Sequence, residues 1–166
     1  MMLGMSLSTF TAVHVIISLI GIVSGFIVLS GFLSAKRLNG LTALFLLTTV
    51  LTSVTGFGFP FDHLLPSHKV GIISLVVLAI AILARYSFHM AGKWRWIYVV
   101  TAMIALYLNV FVLVVQSFEK VPSLKAMAPT QSEPPFLVAQ LVVLALFIVL
   151  TIFAVKKFHP EVGPTP

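Results

Sequence analysis

Five long apolar stretches dominate the pattern of this 166-residue chain. They cover residues 9–34, 41–59, 70–90, 96–118 and 135–155, and apolar side chains run through each stretch without alternating with polar ones. A helix needs about 20 apolar residues to cross the hydrocarbon core of a bilayer. Because lipid cannot hydrogen-bond to exposed backbone groups, only helices or closed barrels span membranes, and continuous runs favour helices. The pattern therefore predicts an all-α, polytopic membrane helix bundle with five transmembrane helices.

The charged residues are sorted between the connections, and this sorting predicts an orientation. Three of the four acidic residues lie on the second and fourth connections, at Asp62, Glu119 and Glu133. Seven of the ten basic residues lie at the other ends of the stretches, at Lys36, Arg37, Arg85, Lys93, Arg95, Lys156 and Lys157. Cytoplasmic loops of membrane proteins carry an excess of Lys and Arg. We therefore expect the N-terminus outside and the C-terminus in the cytoplasm.

The connections are short, which favours a single unit. We interpret residues 1–157 as one transmembrane helical domain and residues 158–166 as a polar cytoplasmic tail. In the longest connection, Pro122 precedes apolar residues spaced by three, and this spacing predicts a short interfacial helix. The first apolar stretch is longer than the roughly 7–15 apolar residues of a signal peptide and has no basic residue before it, so we expect a retained helix.

Composition excludes several function classes. Hydrophobic residues make up 60% of the chain and charged residues 8%, whereas soluble domains are about 25% charged. A net charge of +6 in a soluble domain would suggest nucleic acid, but here the basic residues flank apolar stretches and set topology. We expect the lipid bilayer as a partner and no nucleic acid. The chain has no cysteine, so disulfides and Cys-ligated metals are excluded.

The first apolar stretch contains Gly21 and Gly25 in a GxxxG pattern. Small residues at this spacing let two helix backbones approach closely. The pattern favours helix packing at these two glycines. It is also typical of proteins that associate with a membrane-protein partner or form a homo-oligomer.

Several polar residues fall inside the predicted spans. One interpretation is that they form hydrogen bonds along packed helix seams, and this is the interpretation we favour. The other is a polar cavity, which a buried amide would favour because an unpaired amide in lipid is costly. Arg85 either extends to the cytoplasmic interface or pairs with a ligand or lipid phosphate. The candidates for a polar cavity are Tyr98, Asn109, Gln116, Gln140 and Arg85.

Histidines and acids collect on the predicted outer side. His14 lies roughly 7–8 Å below the outer boundary, at 1.5 Å per residue. Imidazole and carboxylate groups suit zinc, copper or non-haem iron. Three interpretations stay open: loop residues without a ligand, a metal or haem site, and a proton relay or quinone head-group contact. The ligand or metal candidates are His14, Asp62, His63, His68 and Glu133.

Two motifs carry a resemblance. The sequence TGFGFPFDH at residues 55–63 and the sequence APTQSEPPF at residues 128–136 resemble those of small, functionally uncharacterised multi-pass inner-membrane proteins of proteobacteria. The resemblance covers most of the chain from Leu41 onward. It implies a location in the bacterial inner membrane and implies no activity.

No nucleophile motif or phosphate loop is present in the sequence, which favours a non-enzymatic protein without deciding the matter. We expect an accessory, assembly or oligomeric component of the membrane. The first alternative is an outer-face protein that binds metal, haem or quinone through His14 and the turn at residues 62–68. The second alternative is an oligomeric transporter or channel. The sequence leaves the cofactor unknown.

Overall fold

The computed structural model describes residues 3–160, and within them the chain is helical without a β-strand. The helices are α1 (Leu7–Leu33), α2 (Asn39–Gly56), α3 (Pro66–Ile82), α4 (Trp94–Lys120), α5 (Pro122–Met127) and α6 (Pro134–Lys157). All except the short α5 are long and apolar enough to cross a membrane, once α3 is counted with the π-helical turn Leu83–Ser87 that continues it. The prediction of an all-helical chain with five such helices is confirmed, and so is the short helix after Pro122.

The boundary between α2 and α3 differs from the prediction. Helix α2 ends at Gly56 instead of residue 59, and Gly58 and Pro60, which disfavour helix, follow it. Helix α3 begins at Pro66 instead of residue 70. Proline is favoured in a first turn because its missing N–H has no helical partner there. The backbone N–H of Leu65 donates to Nδ1 of His68 at 3.0 Å, which satisfies one group at the start of this helix.

Helix α3 also ends earlier than the predicted residue 90, in the π-helical turn at Leu83–Ser87. The N–H of Met90 donates to the carbonyl of Ala84 at 2.9 Å, and His89 and Met90 both have positive φ. This turn reverses the chain before α4. The Phe88 ring stacks on Trp94 with centroids 4.0 Å apart, which joins the two sides of the turn.

Helix α4 is the centre of the bundle, since it packs against α1, α2, α3 and α6. Neighbouring helices run antiparallel, so the beginnings of α1, α3 and α6 share one end of the bundle with the ends of α2 and α4. We call this the α5 end because α5 lies there. The opposite end contains the π-helical turn, and we call it the Arg85 end.

The apolar core occupies the half of the bundle nearer the Arg85 end. Its buried members come from all five long helices and from the residue after α6. They include Val28, Phe32, Phe45, Leu46, Leu78, Ala81, Tyr98, Val99, Ala102, Met103, Ala105, Leu106, Phe147 and Phe158. Helix α6 is peripheral, with most of its apolar side chains exposed. Arg95 of α4 holds the C-terminal end of α6, because Arg95 Nη1 donates to the carbonyls of Val155 at 2.9 Å and Phe158 at 2.7 Å. A cation at this position also interacts favourably with the helix dipole.

Candidate functional site

His14 lies on α1 near the α5 end and is held by the last turn of α2. Its Nδ1 atom is 2.7 Å from the Thr55 hydroxyl oxygen. The same hydroxyl lies 2.7 Å from the carbonyl of Leu51, and when it donates to that carbonyl it accepts a hydrogen bond from the histidine. In that arrangement the hydrogen of the neutral His14 ring lies on Nδ1. Its Nε2 atom keeps a free lone pair, and no group among residues 3–160 hydrogen-bonds to it.

Aromatic rings surround the same imidazole. The Phe59 ring meets His14 edge to face with centroids 5.2 Å apart, and Phe10 meets Phe59 in the same way at 5.0 Å. Phe10 packs under Gly58, where a Cβ atom would lie 2.7 Å from the phenylalanine Cζ. A larger residue at position 58 would therefore displace the Phe10 ring. The imidazole is half-buried, so one side of the ring is open beside an apolar aromatic wall.

The other ligand candidates do not gather around His14. Asp62 and His63 are exposed in the turn between α2 and α3. His68 is buried, with Nδ1 occupied by the Leu65 N–H and its ring against Phe61 at 4.1 Å. Among residues 3–160 no three His, Asp or Glu side chains come close enough to hold a metal ion. The set predicted from the sequence therefore does not form one site, because His68 serves to start α3 and the two turn residues face outward.

Glu133 organises the turn before α6. Its carboxylate accepts hydrogen bonds from the Thr130 hydroxyl at 2.8 Å, the Thr130 N–H at 3.1 Å and the Ser132 N–H at 3.1 Å. The Thr130 hydroxyl in particular, and then the backbone donors, lower the pKa of Glu133 below its ordinary value. These hydrogen bonds hold the turn before α6 in place.

The polar-cavity candidates lie in separate places instead of lining one cavity. Asn109 Nδ2 is 3.4 Å from the Thr49 hydroxyl, in the interface of α4 with α2. Gln116 is exposed and contacts Glu119 at 3.4 Å. Gln140 donates to the carbonyl of Phe111 at 3.3 Å between α6 and α4, and its buried Oε1 has no partner among the described residues.

The remaining two candidates lie together at the Arg85 end. Arg85 is 6% exposed, and its Nη2 donates to Asn39 Oδ1 at 2.6 Å and to the Arg37 carbonyl at 3.3 Å. Its guanidinium carbon is 5.2 Å from the centroid of the Tyr98 ring, a cation–π distance. Tyr98 is fully buried, and its hydroxyl lies beside Thr42 and Arg85 without forming a hydrogen bond of good geometry within residues 3–160.

Gly21 and Gly25 lie in an interface within the chain. A Cβ on Gly21 would meet the hydroxyls of Thr48 at 3.2 Å and Thr49 at 3.3 Å. A Cβ on Gly25 would meet Leu106 Cδ1 at 2.5 Å and the Phe45 ring at 3.0 Å. The GxxxG face therefore packs α1 against α2 and α4. Because the chain itself covers this face, the GxxxG pattern does not support a homo-oligomer.

Sequence reasoning missed Thr55 as the partner of His14 and Asn39 as the partner of Arg85. The two residues of each pair are far apart in the sequence, by 41 residues for His14 and Thr55 and by 46 for Arg85 and Asn39. Apolar stretches predict that helices exist, but they do not fix the rotation that turns one polar side chain toward another. Comparison with protein-family models, curated proteins and solved structures gives no match to this chain.

Proposed function

We propose that the protein is a multi-pass protein of the bacterial inner membrane, with the α5 end outside and the Arg85 end in the cytoplasm. The support is the charge distribution: Lys36, Arg37, Lys93 and Arg95 lie at the Arg85 end, whereas the acids Asp62, Glu119 and Glu133 lie at the α5 end. Lys and Arg accumulate on the cytoplasmic side of short loops. The resemblance carried by the two sequence motifs noted above supports the bacterial location.

The absence of native cysteine makes this orientation easy to test. Ser123→Cys in α5 and Ala91→Cys in the turn after α3 are both at exposed positions and leave every charge in place. A membrane-impermeant maleimide added to spheroplasts should label Ser123→Cys. Ala91→Cys should react only after the membrane is opened. The reverse pattern would invert the proposed topology.

We further propose that the protein binds a small, membrane-soluble ring compound carrying a hydroxyl group, such as a quinol, at its outer face. The observation that carries this proposal is the geometry of His14, whose Nδ1 contacts the Thr55 hydroxyl at 2.7 Å while its Nε2 has no hydrogen-bond partner among the described residues. A free lone pair accepts a hydrogen bond from a hydroxyl. Phe59 and Phe10 offer a wall against which a ring could pack.

This ligand class fits His14 better than a metal ion held by the protein alone. Protein metal sites usually use three or more ligands, and within residues 3–160 no three His, Asp or Glu side chains converge. One imidazole with a free nitrogen is enough for a hydrogen bond to a hydroxyl. A single imidazole could also ligate a haem iron from one side, and the experiment distinguishes this case.

The test compares three proteins purified from membranes in mild detergent: wild type, His14→Ala and His63→Ala. His63 is an exposed histidine at the same end, so its replacement is a matched control. Organic extracts are analysed by mass spectrometry for ring compounds that carry hydroxyls. We expect wild type and His63→Ala to retain such a compound. His14→Ala should retain roughly tenfold less, the effect of losing one hydrogen bond of about 1.4 kcal/mol.

A second variant tests the tautomer itself. Thr55→Val removes the hydroxyl that contacts Nδ1 while leaving His14 in place. The ligand should bind more weakly because the imidazole loses its fixed orientation. Equal retention by wild type, His14→Ala and Thr55→Val would contradict the proposal. A Soret band that is lost only in His14→Ala would identify the ligand as haem instead of a quinol.

A second candidate function is lateral association with another membrane protein or a second copy of this chain. An apolar groove of about 260 Å³ between α4 and α6 favours it, lined by Ile104, Tyr107, Leu144 and Ile148 among others. Ile148→Cys should form an oxidised dimer if two copies meet at this groove. Ile16→Cys, equally exposed on α1, is the control and should stay monomeric. Equal crosslinking at both positions would count against the groove.

A further inference from the structure

The segment between α4 and α6 folds back against the end of α4. Nε2 of Gln131 donates to the carbonyl of Val115 in α4 at 3.0 Å. The Phe118 ring of α4 meets Phe136 of α6 edge to face, with centroids 5.4 Å apart, and Ala128 between them in the sequence is fully buried. These contacts hold α5 and the turn that follows it beside the last turns of α4.

A polar cavity of about 380 Å³ opens between α4 and this folded segment, and we call it the α5 cavity. Its volume falls in the range of small-molecule sites, about 300–1,000 Å³, but most such sites are lined mainly by apolar side chains. Only Phe118, which is buried, gives the α5 cavity a large apolar surface. The cavity therefore suits a polar group. Its lining residues are Phe118, Glu119, Lys125, Pro129, Thr130 and Gln131.

Two opposite charges line the α5 cavity without pairing with each other. The Glu119 carboxylate, on α4, has one hydrogen-bond partner among residues 3–160, the neutral amide of Gln116 at 3.4 Å. The Lys125 ammonium, on α5, is exposed and forms no hydrogen bond or ion pair within the same residues. Contacts elsewhere, such as the one from Gln131 to Val115, hold the two walls in place. The backbone therefore presents a negative and a positive group to one space.

We propose that the α5 cavity binds a zwitterion that carries a primary ammonium and an anionic group. A carboxylate accepts hydrogen bonds from an ammonium, and a lysine ammonium donates to phosphate or carboxylate oxygens. One zwitterion satisfies both charges of the cavity at once. An anion without an ammonium would be attracted by Lys125 but repelled by Glu119, so the pair of charges selects against it.

The position of the α5 cavity indicates where such a zwitterion can come from. Helix α4 has 27 residues and is therefore about 40 Å long, close to the thickness of a bilayer with its headgroup regions. Glu119 lies in the last turn of this helix, so the cavity lies at the level of lipid headgroups. The ligand can be the headgroup of phosphatidylethanolamine or a free molecule of the same chemistry, and the experiment separates these two sources.

The test uses native mass spectrometry of the full chain in detergent with phosphatidylethanolamine, phosphatidylcholine or phosphatidylglycerol. The trimethylammonium of phosphatidylcholine has no N–H to donate, and phosphatidylglycerol has no cation. We expect the wild type to bind phosphatidylethanolamine about tenfold more tightly than either of the others, the effect of one charge-assisted hydrogen bond. Equal affinity for free glycerophosphoethanolamine would identify a free zwitterion as the ligand. Binding of phosphatidylethanolamine without glycerophosphoethanolamine would identify the lipid.

Two variants test the two charges separately. Glu119→Gln removes the partner of the ammonium, and Lys125→Gln removes the partner of the anionic group. Each should bind the zwitterion about tenfold more weakly than wild type. Asp62→Asn and Lys69→Gln are the matched controls, since they remove an acid and a lysine at the same end that do not line the cavity, and both should bind like wild type. All four side chains are exposed, so we expect each variant to fold.

Three outcomes would overturn the proposal. The first is equal binding of all three lipids by the wild type, and the second is tighter binding of phosphatidylglycerol than of phosphatidylethanolamine, which would indicate a site for anions alone. The third is unchanged binding of the zwitterion by either Glu119→Gln or Lys125→Gln. His14 does not line the α5 cavity, so His14→Ala should bind phosphatidylethanolamine like wild type. The result is therefore independent of the quinol proposal.

Discussion

The two halves of this bundle are held together by different interactions. Towards the Arg85 end, large apolar side chains such as Phe45 and Leu106 are almost completely buried around α4. Towards the α5 end, hydroxyls and amides cross between helices, as in the contacts of Ser53 with Ser74 and Thr49 with Asn109. In that half many α4 residues are only half-buried.

The two halves therefore contribute differently to the stability of the protein. In lipid, helices associate mainly through close packing, and an interhelical hydrogen bond contributes only about 0.6 kcal/mol on average. The closely packed half therefore stabilises the fold. The more open half can hold a polar group such as His14 in a defined orientation without supporting the whole bundle. The binding that we propose at the α5 end and the stability from the Arg85 half are thus separable properties.

The largest expected effect comes from Gly25, where α1 meets the core. Gly25→Leu adds a side chain where even a Cβ would be 2.5 Å from Leu106 and 3.0 Å from Phe45. We expect it to destabilise the fold by about 3 kcal/mol or more, since overpacking a filled core costs about 1–3 kcal/mol for smaller insertions. The measurement is the unfolded fraction in mixed micelles as denaturing detergent is added.

Gly40→Ala is the matched control for stability, because nothing lies within 4 Å of a Cβ at that position. It should be neutral or slightly stabilising, as alanine favours helix by about 1 kcal/mol over glycine. If Gly25→Leu unfolded no more easily than Gly40→Ala, the close packing of α1 on α2 and α4 would be wrong.

The next effect should have the opposite sign. Tyr98→Phe keeps the buried ring and removes a hydroxyl that has no hydrogen-bond partner among residues 3–160. An unsatisfied buried polar group costs about 1–3 kcal/mol, so this variant should stabilise the Arg85 half by about 1 kcal/mol. The same micelle titration measures it. Marked destabilisation would mean that the hydroxyl is hydrogen-bonded to Thr42 or Arg85, the polar side chains beside it.

A smaller effect is expected in the polar half. Ser53→Ala removes the 3.1 Å hydrogen bond to Ser74 between α2 and α3. The loss should be about 0.6 kcal/mol, the typical value for interhelical hydrogen bonds in membrane proteins. A loss comparable with that of Gly25→Leu would show that the two halves contribute equally to stability, which would break the comparison.

The smallest effect concerns the loop at the α5 end. The pKa of Glu133 is lower in the folded chain, so its hydrogen bonds contribute stability above the unfolded pKa and lose it as pH falls through the folded pKa. Glu133→Gln should therefore increase proteolysis of the loop at neutral pH. At a pH below the folded pKa, wild type and variant should be cleaved equally. A difference that persists at acidic pH would mean that the carboxylate charge is not the stabilising feature.

The element count could be predicted from the sequence because runs such as residues 9–34 and 135–155 are limited by bilayer thickness, and that constraint acts locally. Helix ends were less accessible. Residues 66–69 look polar, yet Pro66 and the His68 side chain start α3 there. The π-helical turn at Leu83–Ser87 lies within an apolar run, and its residues show no pattern that distinguishes it from the α-helix before it.

The candidate site was only partly predictable, for a geometric reason. His14 is identifiable as a polar residue inside an apolar run, but its role depends on Thr55, which a different helix rotation would turn away. The same holds for the GxxxG pair, whose sequence indicates a close contact without saying with which helix. Gly25 meets Phe45 and Leu106 within the chain instead of a second copy.

The most direct test of the binding proposal is the nitrogen NMR spectrum of the histidine rings in nanodiscs. The chain has five histidines, and the signals absent from His14→Ala identify those of His14. We predict a neutral ring with the hydrogen on Nδ1 and an Nε2 signal that shifts when a quinol is added. A hydrogen on Nε2, or an Nε2 signal that does not respond to quinol, would contradict the proposed site.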